Sequence, residues 1–248
     1  MTLPDCKVET VLARGLGSDD YDPVTHAATR LSKQHGYPQI HCPLLNDVVG
    51  GPNGYVAVPS LKAQANRLKT QLDTLGSSRI HIVAHSLGLL VAAQAGLDLT
   101  NVYVTAIAPG LTAIEKRIPP LTDEDEAMPP NELAALDRYK KSEGVPFGMI
   151  RRPHLNPVIV SKDFMDQARA VDPLELVIPM LQQLGNRSRI MLIWDDDRLG
   201  NQDTEVTRLT HYAPDTTVDV YTGTNSHYLL GGHAAIVLGA AVLGTELP

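Results

Sequence analysis

Ser86 lies in the segment AHSLG, residues 84–88, between an apolar run and a run of small residues. The run before it, RIHIVA, is typical of a buried strand, and the run after it is typical of a helix. A serine in that place has two possible roles. Its hydroxyl can cap the helix, or it can be held at a sharp strand-to-helix turn as a nucleophile.

The neighbours of Ser86 favour the nucleophile. A turn that lifts a hydroxyl out of a sheet has strained backbone, so the residues close to it must be small. Ala84 and Gly88 meet that requirement. The same turn leaves the backbone N–H of Leu87 at a helix N-terminus, where it can stabilise a developing oxyanion. The short pattern occurs often by chance, but here a strand precedes it and a helix follows, which is the context it requires.

Short apolar runs alternate with longer amphipathic stretches along the whole chain. We predict strands at 8–13, 39–44, 79–84, 102–108, 189–194 and 218–221. Most are continuous in Val, Ile and Leu, as expected for strands covered on both faces. We predict helices at about 24–35, 60–75, 87–97, 203–211 and 232–243. Repeated strand-then-helix order implies right-handed crossovers and a doubly wound α/β fold with a mainly parallel, six-stranded sheet.

The long interval between the fourth and fifth predicted strands breaks this rhythm. It is rich in prolines and contains no convincing pair of strands. Three residues stand where helix N-caps are useful: Asn131, Ser161 and Asp172. We therefore predict a helical cap over residues 111–185, carried on an α/β core made of residues 1–110 and 186–248.

The segment VAHSLGLLVAA, residues 83–93, resembles the nucleophile elbow of the α/β-hydrolase superfamily, and the resemblance extends over most of the chain. The order of catalytic residues in that superfamily is nucleophile, acid, histidine. The resemblance thus implies a histidine in the loop after the last strand. His227, in TNSHYLLGGH, has that position, whereas His233 falls on the final helix. We predict His227 as the general base.

The resemblance also implies an acid after the preceding strand, where LIWDDDRLG contains Asp195, Asp196 and Asp197. Family members often have Trp, Gly, two variable residues and then the acid, which stands in an Asp-Arg-Leu or Asp-Pro sequence. The Asp-Arg-Leu here favours Asp197 as the residue that orients His227. Because Asp195 replaces the usual glycine and the loop is one residue shorter, Asp196 remains the alternative.

The loop ARGLGSDD after the first strand is where the resemblance places the second oxyanion donor. Matching by position gives Gly15 for close backbone approach and the N–H of Leu16 as the donor, together with that of Leu87. Since the first strand begins at about Val8, there is no room for the antiparallel hairpin that precedes it in the full fold. The expected sheet is therefore trimmed to six parallel strands, with the cap over Ser86.

Arg14 stands where the superfamily usually has a histidine. That histidine is not an acid or base in the family, so the arginine need not abolish activity. Arg14 can form a salt bridge with Asp19 or Asp20, or meet an anionic group of the substrate. We include Arg14, Gly15 and His85 as candidate substrate-binding residues.

Composition excludes several other classes of protein. A net charge of −7 gives no basic footprint for nucleic acid. With only Cys6 and Cys42, no disulfide framework or zinc cluster is expected. The first ten residues lack the layout of a signal peptide, and the apolar run AAIVLGAAVLG is too short to span a bilayer. We expect a cytoplasmic monomer or homodimer without metal or organic cofactor.

The resemblance implies a serine hydrolase that acts on a small to medium ester, thioester or lactone through an acyl-enzyme. Carbon–carbon bond hydrolysis or lyase chemistry with the same triad is one alternative. A non-catalytic ligand-binding protein that kept the pocket is another, supported by Arg14 and the short acid loop. A nucleotide-binding protein is set aside, because neither GLGSDD nor GGPNG matches a phosphate-binding motif.

Overall fold

The computed structural model of the chain describes residues 8–19, 23–33, 39–51, 53–76, 79–111, 118, 120–121, 128–151, 155–193, 202–221 and 232–243. The strands within these residues are β1 Val8–Ala13, β2 Ile40–His41, β3 Asp47–Val49, β4 Tyr55–Val58, β5 Arg79–His85, β6 Val102–Ile107, β7 Pro146–Ile150, β8 Val158–Ser161, β9 Ser188–Ile193 and β10 Thr217–Tyr221. The helices are α1 Pro23–Lys33, α2 Leu61–Thr74, α3 Gly88–Gln94, α4 Pro130–Ser142, α5 Lys162–Arg169, α6 Pro173–Leu184, α7 Gln202–Tyr212 and α8 Gly232–Leu243. All six predicted strands and all five predicted helices are among them.

The larger sheet has six strands in the order β10-β9-β6-β5-β1-β2, and every neighbouring pair is parallel. The predicted parallel six-stranded sheet is therefore confirmed. In such a sheet the carboxyl ends of all strands lie at one edge. Loops that follow β1, β5, β6, β9 and β10 begin at this edge, which makes it the place where residues distant in sequence meet.

Helices cover both faces of this sheet, which explains its continuous apolar strands. Along β1, Leu12 belongs to the core on one face, whereas Val11 and Ala13 belong to the core on the other. The first core is completed by α1 and α8, with Val24, Ala28, Val237 and Leu238. The second is completed by α2, α3 and α6, with Leu68, Leu89, Val177 and Leu181 among others. Successive side chains of β1 point to opposite faces, and the apolar side of each helix packs against one of these faces. Apolar surface is therefore buried on both sides of the sheet.

The helix predicted at 232–243 is confirmed as α8, and it packs into the core. In α8, Val237, Leu238 and Ala241 are at most 1% exposed. Among the described residues, no helix combines the length and the apolar character that crossing a bilayer would need.

A second, four-stranded sheet was not predicted. Its order is β3-β4-β8-β7, with antiparallel hairpins β3–β4 and β7–β8 joined by a parallel pairing of β4 with β8. The prediction that the 111–185 interval has no strand pair is therefore wrong. The hairpin β7–β8 lies inside that interval, and it pairs with a hairpin inserted between β2 and α2.

The two central strands of this small sheet, β4 and β8, are buried on both faces, because their side chains alternate between two cores. Tyr55 of β4 faces α4 and contacts Tyr139 edge-to-face, with ring centroids 5.6 Å apart. Val56 of β4 and Val158 of β8 face the core of the large sheet. The small sheet therefore connects the predicted cap to the α/β core through continuous apolar packing.

Two of the three predicted helix caps are confirmed. The side chain of Ser161 accepts a hydrogen bond from the N–H of Phe164 (3.0 Å), and that of Asp172 accepts from Leu174 (2.8 Å). Asn131 lies inside α4, which begins at Pro130 after an N-cap at Pro129, so that prediction is wrong. Proline at the first helical position fits α4 well, because its missing N–H has no intrahelical partner there.

Candidate active site

Ser86 occupies a strained turn between β5 and α3. Its φ is 53°, in the left-handed region that residues other than glycine rarely adopt. Its N–H donates to the carbonyl of Ile107 (3.0 Å), and its own carbonyl accepts from the N–H of Gly110 (3.1 Å). The end of β6 and the segment that follows it thus hold Ser86 in place. Strain of this kind costs about 1–3 kcal/mol and is concentrated at functional sites.

Ser86 does not cap helix α3. The N-cap of α3 is Leu87, with φ −59°, and no side chain caps this helix. Ser86 precedes the cap and is 7% exposed, while Leu87 is 3% exposed. Its unusual backbone conformation therefore needs another explanation than helix capping.

Gly88 lets α3 begin directly against the end of β1. A Cβ atom at this position would lie 2.0 Å from the carbonyl oxygen of Ala13 and 2.7 Å from its carbonyl carbon. Both are backbone atoms of a central strand, so they cannot move aside cheaply. The strained turn was expected to need a small residue at position 88. The close packing of α3 against β1 requires a glycine there as well.

We expect Gly88→Ala to lower the free energy of unfolding by about 3 kcal/mol or more, because the added methyl group overpacks a rigid backbone contact. For a chain of this size that corresponds to a fall of about 6 °C or more in Tm. Thermal unfolding followed by circular dichroism measures it. Gly50 is the matched control, since nothing in the described part of the chain lies within 4 Å of a Cβ there. Equal melting of the two variants would show that α3 is free to shift away from β1.

The loop after β1 passes directly beside Ser86. A Cβ atom at Gly15 would lie 3.1 Å from the Cβ of Ser86 and 3.3 Å from Nδ1 of His85. The side chain of Leu16 is half-buried and packs against the core of the large sheet. The structure therefore brings Gly15, His85 and Ser86 together, whereas the roles predicted for them and for the N–H of Leu16 stay predictions.

Arg14 is almost completely buried, at 1% exposed. Its Nη1 donates to the carbonyl of Asp19 (2.9 Å) and to Oγ1 of Thr25 (3.0 Å). Its Nη2 and Nε both donate to the carbonyl of Pro43, at 2.9 and 3.3 Å. This burial favours a structural role for Arg14 over the predicted contact with substrate.

His227 and the three aspartates Asp195, Asp196 and Asp197 lie outside the described residues, so their roles stay predictions. The strands that lead to them are described. β9 ends at Ile193 and β10 at Tyr221, and these two residues are register partners. Ile107 of β6 is the register partner of both His85 and Met191. The loops that carry the predicted acid and base therefore start at the same edge as Ser86.

Two histidines within the large sheet are engaged by protein partners. Nε2 of His41 lies 2.9 Å from Oε2 of Glu9, and Nε2 of His81 lies 2.9 Å from Oγ1 of Thr105. Burial lowers the pKa of His81 to about 4, so its imidazole is neutral at pH 7. Both serve the structure of the sheet, and neither competes with His227 as a candidate base.

Sequence reasoning missed two contributors to this edge. Ala108 has φ 44°, and its N–H donates to the carbonyl of Met191 (2.8 Å), so a second strained residue lies beside Ser86. Asn46 is 3% exposed, and its Nδ2 donates to the carbonyl of Ser18 in the loop after β1 (3.0 Å). The run Ala-Pro-Gly at 108–110 was a signal for the first, whereas a lone asparagine after Leu45 gives none.

Comparison of the structure with solved structures identifies the fold. A structure of the metagenome-derived lipolytic enzymes LipS and LipT aligns with a TM-score of 0.60 and 11% sequence identity, over 98% of both chains. The six-stranded parallel sheet with its flanking helices matches the α/β-hydrolase fold. The chain has the α/β-hydrolase fold. In this fold the nucleophile stands on the turn between a central strand and the following helix, which is the place of Ser86.

Other α/β-hydrolase structures align over similar lengths. Est1E from Butyrivibrio proteoclasticus has a TM-score of 0.56 at 10% identity, over 96% of this chain and 86% of its own. Est816, described as an N-acyl homoserine lactone degrading enzyme, has a TM-score of 0.53 at 15% identity, over 97% and 93%. No family model and no curated protein matches the sequence. Likeness at this identity concerns the fold, so the chemistry must be argued from the residues.

Proposed function

We propose that the chain is a serine hydrolase that cleaves a small to medium carboxylic ester, thioester or lactone. The observation that carries the proposal is the strained, buried Ser86 between β5 and α3 with the backbone of Gly15 beside it. A turn of this kind costs conformational energy and is explained by presenting a nucleophile to an oxyanion loop. The α/β-hydrolase fold supports the same chemistry.

In the proposed reaction, His227 accepts the proton of Ser86 Oγ as that oxygen attacks the carbonyl carbon. The carbonyl π electrons move to the oxygen, and the N–H groups of Leu16 and Leu87 stabilise the resulting oxyanion. The tetrahedral intermediate collapses, and His227 protonates the departing alcohol or thiol. Water then attacks the acyl-enzyme with His227 as base, which releases the acid and restores Ser86. Asp197 orients His227 throughout.

The predicted cap is our candidate for the substrate-selecting part of the chain. The contact of β8 with the oxyanion loop supports this, because a Cβ at Gly17 would lie 2.4 Å from Cγ1 of Val158. The small sheet therefore reaches the edge where Ser86 stands. The structural relatives include lipolytic enzymes and an N-acyl homoserine lactone degrading enzyme, and we propose acyl substrates of these classes here.

A fluorophosphonate probe tests the proposal, because it labels a serine only when the base and oxyanion hole activate it. We expect one label, on Ser86, identified by peptide mass spectrometry. A panel of p-nitrophenyl esters of increasing acyl length, then lactones and acyl thioesters, would give the substrate class. Absence of labelling in folded protein would favour the alternative of a non-catalytic ligand-binding protein. Labelling without turnover of any acyl substrate would favour carbon–carbon bond hydrolysis or lyase chemistry.

The same substitution at Asp197 and at Asp196 tests which of the two is the acid of the triad, because each variant serves as the control for the other. We expect Asp197→Asn to lower kcat by about 10⁴-fold, because the amide would hold the imidazole of His227 in the wrong tautomer. Asp196→Asn should leave kcat within about tenfold, since it removes a charge near the site without touching that hydrogen bond. Steady-state kinetics on the best p-nitrophenyl ester measures both. The reverse pattern would assign the acid to Asp196.

A further inference from the structure

The loop that should supply the oxyanion donor contains two glycines, so local sequence does not by itself fix its backbone. Leu16 lies between Gly15 and Gly17, and glycine has more backbone conformations available than any other residue. Gly17 has φ 68°, and side-chain atoms of Val158 fill the space where its Cβ would be. An oxyanion hole works only if its donors are oriented before the reaction begins. Something outside this tripeptide must therefore fix its backbone.

The first restraint on the loop is the guanidinium of Arg14. It bonds to the carbonyl of Asp19 at the far end of the loop, to Oγ1 of Thr25 on α1 and to the carbonyl of Pro43 after β2. A planar guanidinium has five donors in a fixed fork, so one side chain can join three separate segments. Both ends of the loop are thereby tied to one rigid group.

The second restraint is Asn46, whose Nδ2 donates to the carbonyl of Ser18 (3.0 Å). Asn46 and Pro43 belong to the same segment between β2 and β3. This segment is itself held to α2 by Arg67, which donates to the carbonyl of Leu45 (3.2 Å) and to the carboxylate of Asp47 (2.9 and 3.0 Å). The oxyanion loop thus rests on a fixed support.

We propose that Arg14 and Asn46 are positioning residues that orient the backbone of Leu16 toward the oxyanion. The inference rests on the proposed function, because it assigns these residues a role in the proposed reaction. Neither side chain touches the reacting atoms in this scheme. Arg14 takes a place where the superfamily usually has histidine, and its longer fork reaches carbonyls on two segments. The loop is preorganised through these bonds and through contact with Val158.

The test compares Arg14→Met and Arg14→Lys with the wild-type chain on the best p-nitrophenyl ester. We expect Arg14→Met to lower kcat by about 10²- to 10³-fold with KM changed by less than about threefold, since oxyanion donors act mainly in the transition state. Arg14→Lys should recover part of the loss, because one ammonium can replace some but not all of the bonds. Asn46→Ala, which removes one bond only, should lower kcat by about tenfold.

Arg187→Met is the matched control. This variant also removes a guanidinium that binds backbone carbonyls of another segment, those of Thr100 and Val102, but Arg187 lies just before β9, at the edge of the sheet opposite to Ser86. Its kcat should stay within about threefold of wild type even if its Tm falls. A merely structural role for Arg14 would produce the same result as Arg187→Met. Retention of kcat in both Arg14→Lys and Asn46→Ala would overturn the proposal, even if Arg14→Met fails to fold.

Amide hydrogen exchange separates failure of this inference from failure of the proposed function. We expect exchange at residues 15–19 to be at least about tenfold faster in Arg14→Met or Asn46→Ala, with β5 unchanged, as local opening becomes easier. This readout needs no substrate. If the wild-type chain hydrolyses nothing and does not react with the fluorophosphonate, the proposed function fails. Amide exchange then still shows whether Arg14 and Asn46 restrain the loop. Unchanged exchange in the two variants would overturn this inference even if the enzyme is active.

Discussion

Ser86→Ala is expected to lower kcat by about 10⁵- to 10⁶-fold and to leave the fold intact, because it removes the attacking oxygen and nothing larger. Residual turnover above the uncatalysed rate should remain, owed to the oxyanion hole and substrate binding. Alanine inherits the left-handed backbone of this position, so the variant should melt close to the wild type. Single-turnover kinetics with a p-nitrophenyl ester and thermal unfolding measure the two effects separately.

Ser188 supplies a matched control for this substitution. Ser188 is the first residue of β9 and is 2% exposed. Its hydroxyl donates to the carbonyl of Gly185 (2.7 Å) and lies 2.8 Å from Oγ1 of Thr216. Ser188→Ala should cost stability by about 1–3 kcal/mol, because it leaves buried partners unsatisfied, and should leave kcat unchanged. If Ser86→Ala kept more than about a tenth of wild-type kcat, the nucleophile would have to be another residue.

The large sheet was predictable because its strands are buried on both faces. A run such as RIHIVA or VYVTAIA cannot be placed at a surface without exposing much apolar area. In the helices between such runs, apolar residues instead recur with the period of an amphipathic helix. Alternation of strand and helix then leaves few topologies. The exception is β2, which is only Ile40–His41 although 39–44 was predicted. It lies at the edge of the sheet, where Pro43 has no N–H to extend the ladder.

The small sheet was not predictable by the same reasoning. Its strands have three to five residues, too short for a period to be recognised. Val56 of β4 pairs with Val158 of β8, and no local signal indicates so distant a pairing. Once formed, the sheet is stabilised by burial of Tyr55 and Ile159 against α4. Long-range packing rather than local propensity therefore decides this part of the fold.

The candidate site divides along the same line. Ser86 and Gly15 have signals in the sequence because strained or crowded backbone restricts residue type, and the structure places them together. For Arg14 the sequence left two roles open, a salt bridge with Asp19 or Asp20 and contact with an anionic group of the substrate, because sequence cannot show which carbonyls a long side chain will reach. Its hydrogen bonds to Pro43, Asp19 and Thr25 are created by the packing of β2 and α1 against the loop. Roles that depend on tertiary contacts were the ones missed.

His227→Ala should lower kcat by about 10⁵-fold or more, because without a base the hydroxyl of Ser86 is a poor nucleophile at neutral pH. Labelling by the fluorophosphonate should slow to a similar extent, which ties the effect to Ser86 rather than to substrate binding. Added imidazole should restore part of the rate, since a small base can enter the space left by the side chain.

His233 provides the control for this substitution, since it lies only six residues further along, within α8. His233→Ala should leave both kcat and labelling within about tenfold of wild type, because a residue on the helix, beyond the loop after β10, is not expected to reach Ser86. If His233→Ala lost activity and His227→Ala kept it, the base would be His233 on α8. If both variants kept their activity, Ser86 would have to be activated by a residue from another loop at the same edge of the sheet. The assignment of the acid would then have to be revised as well.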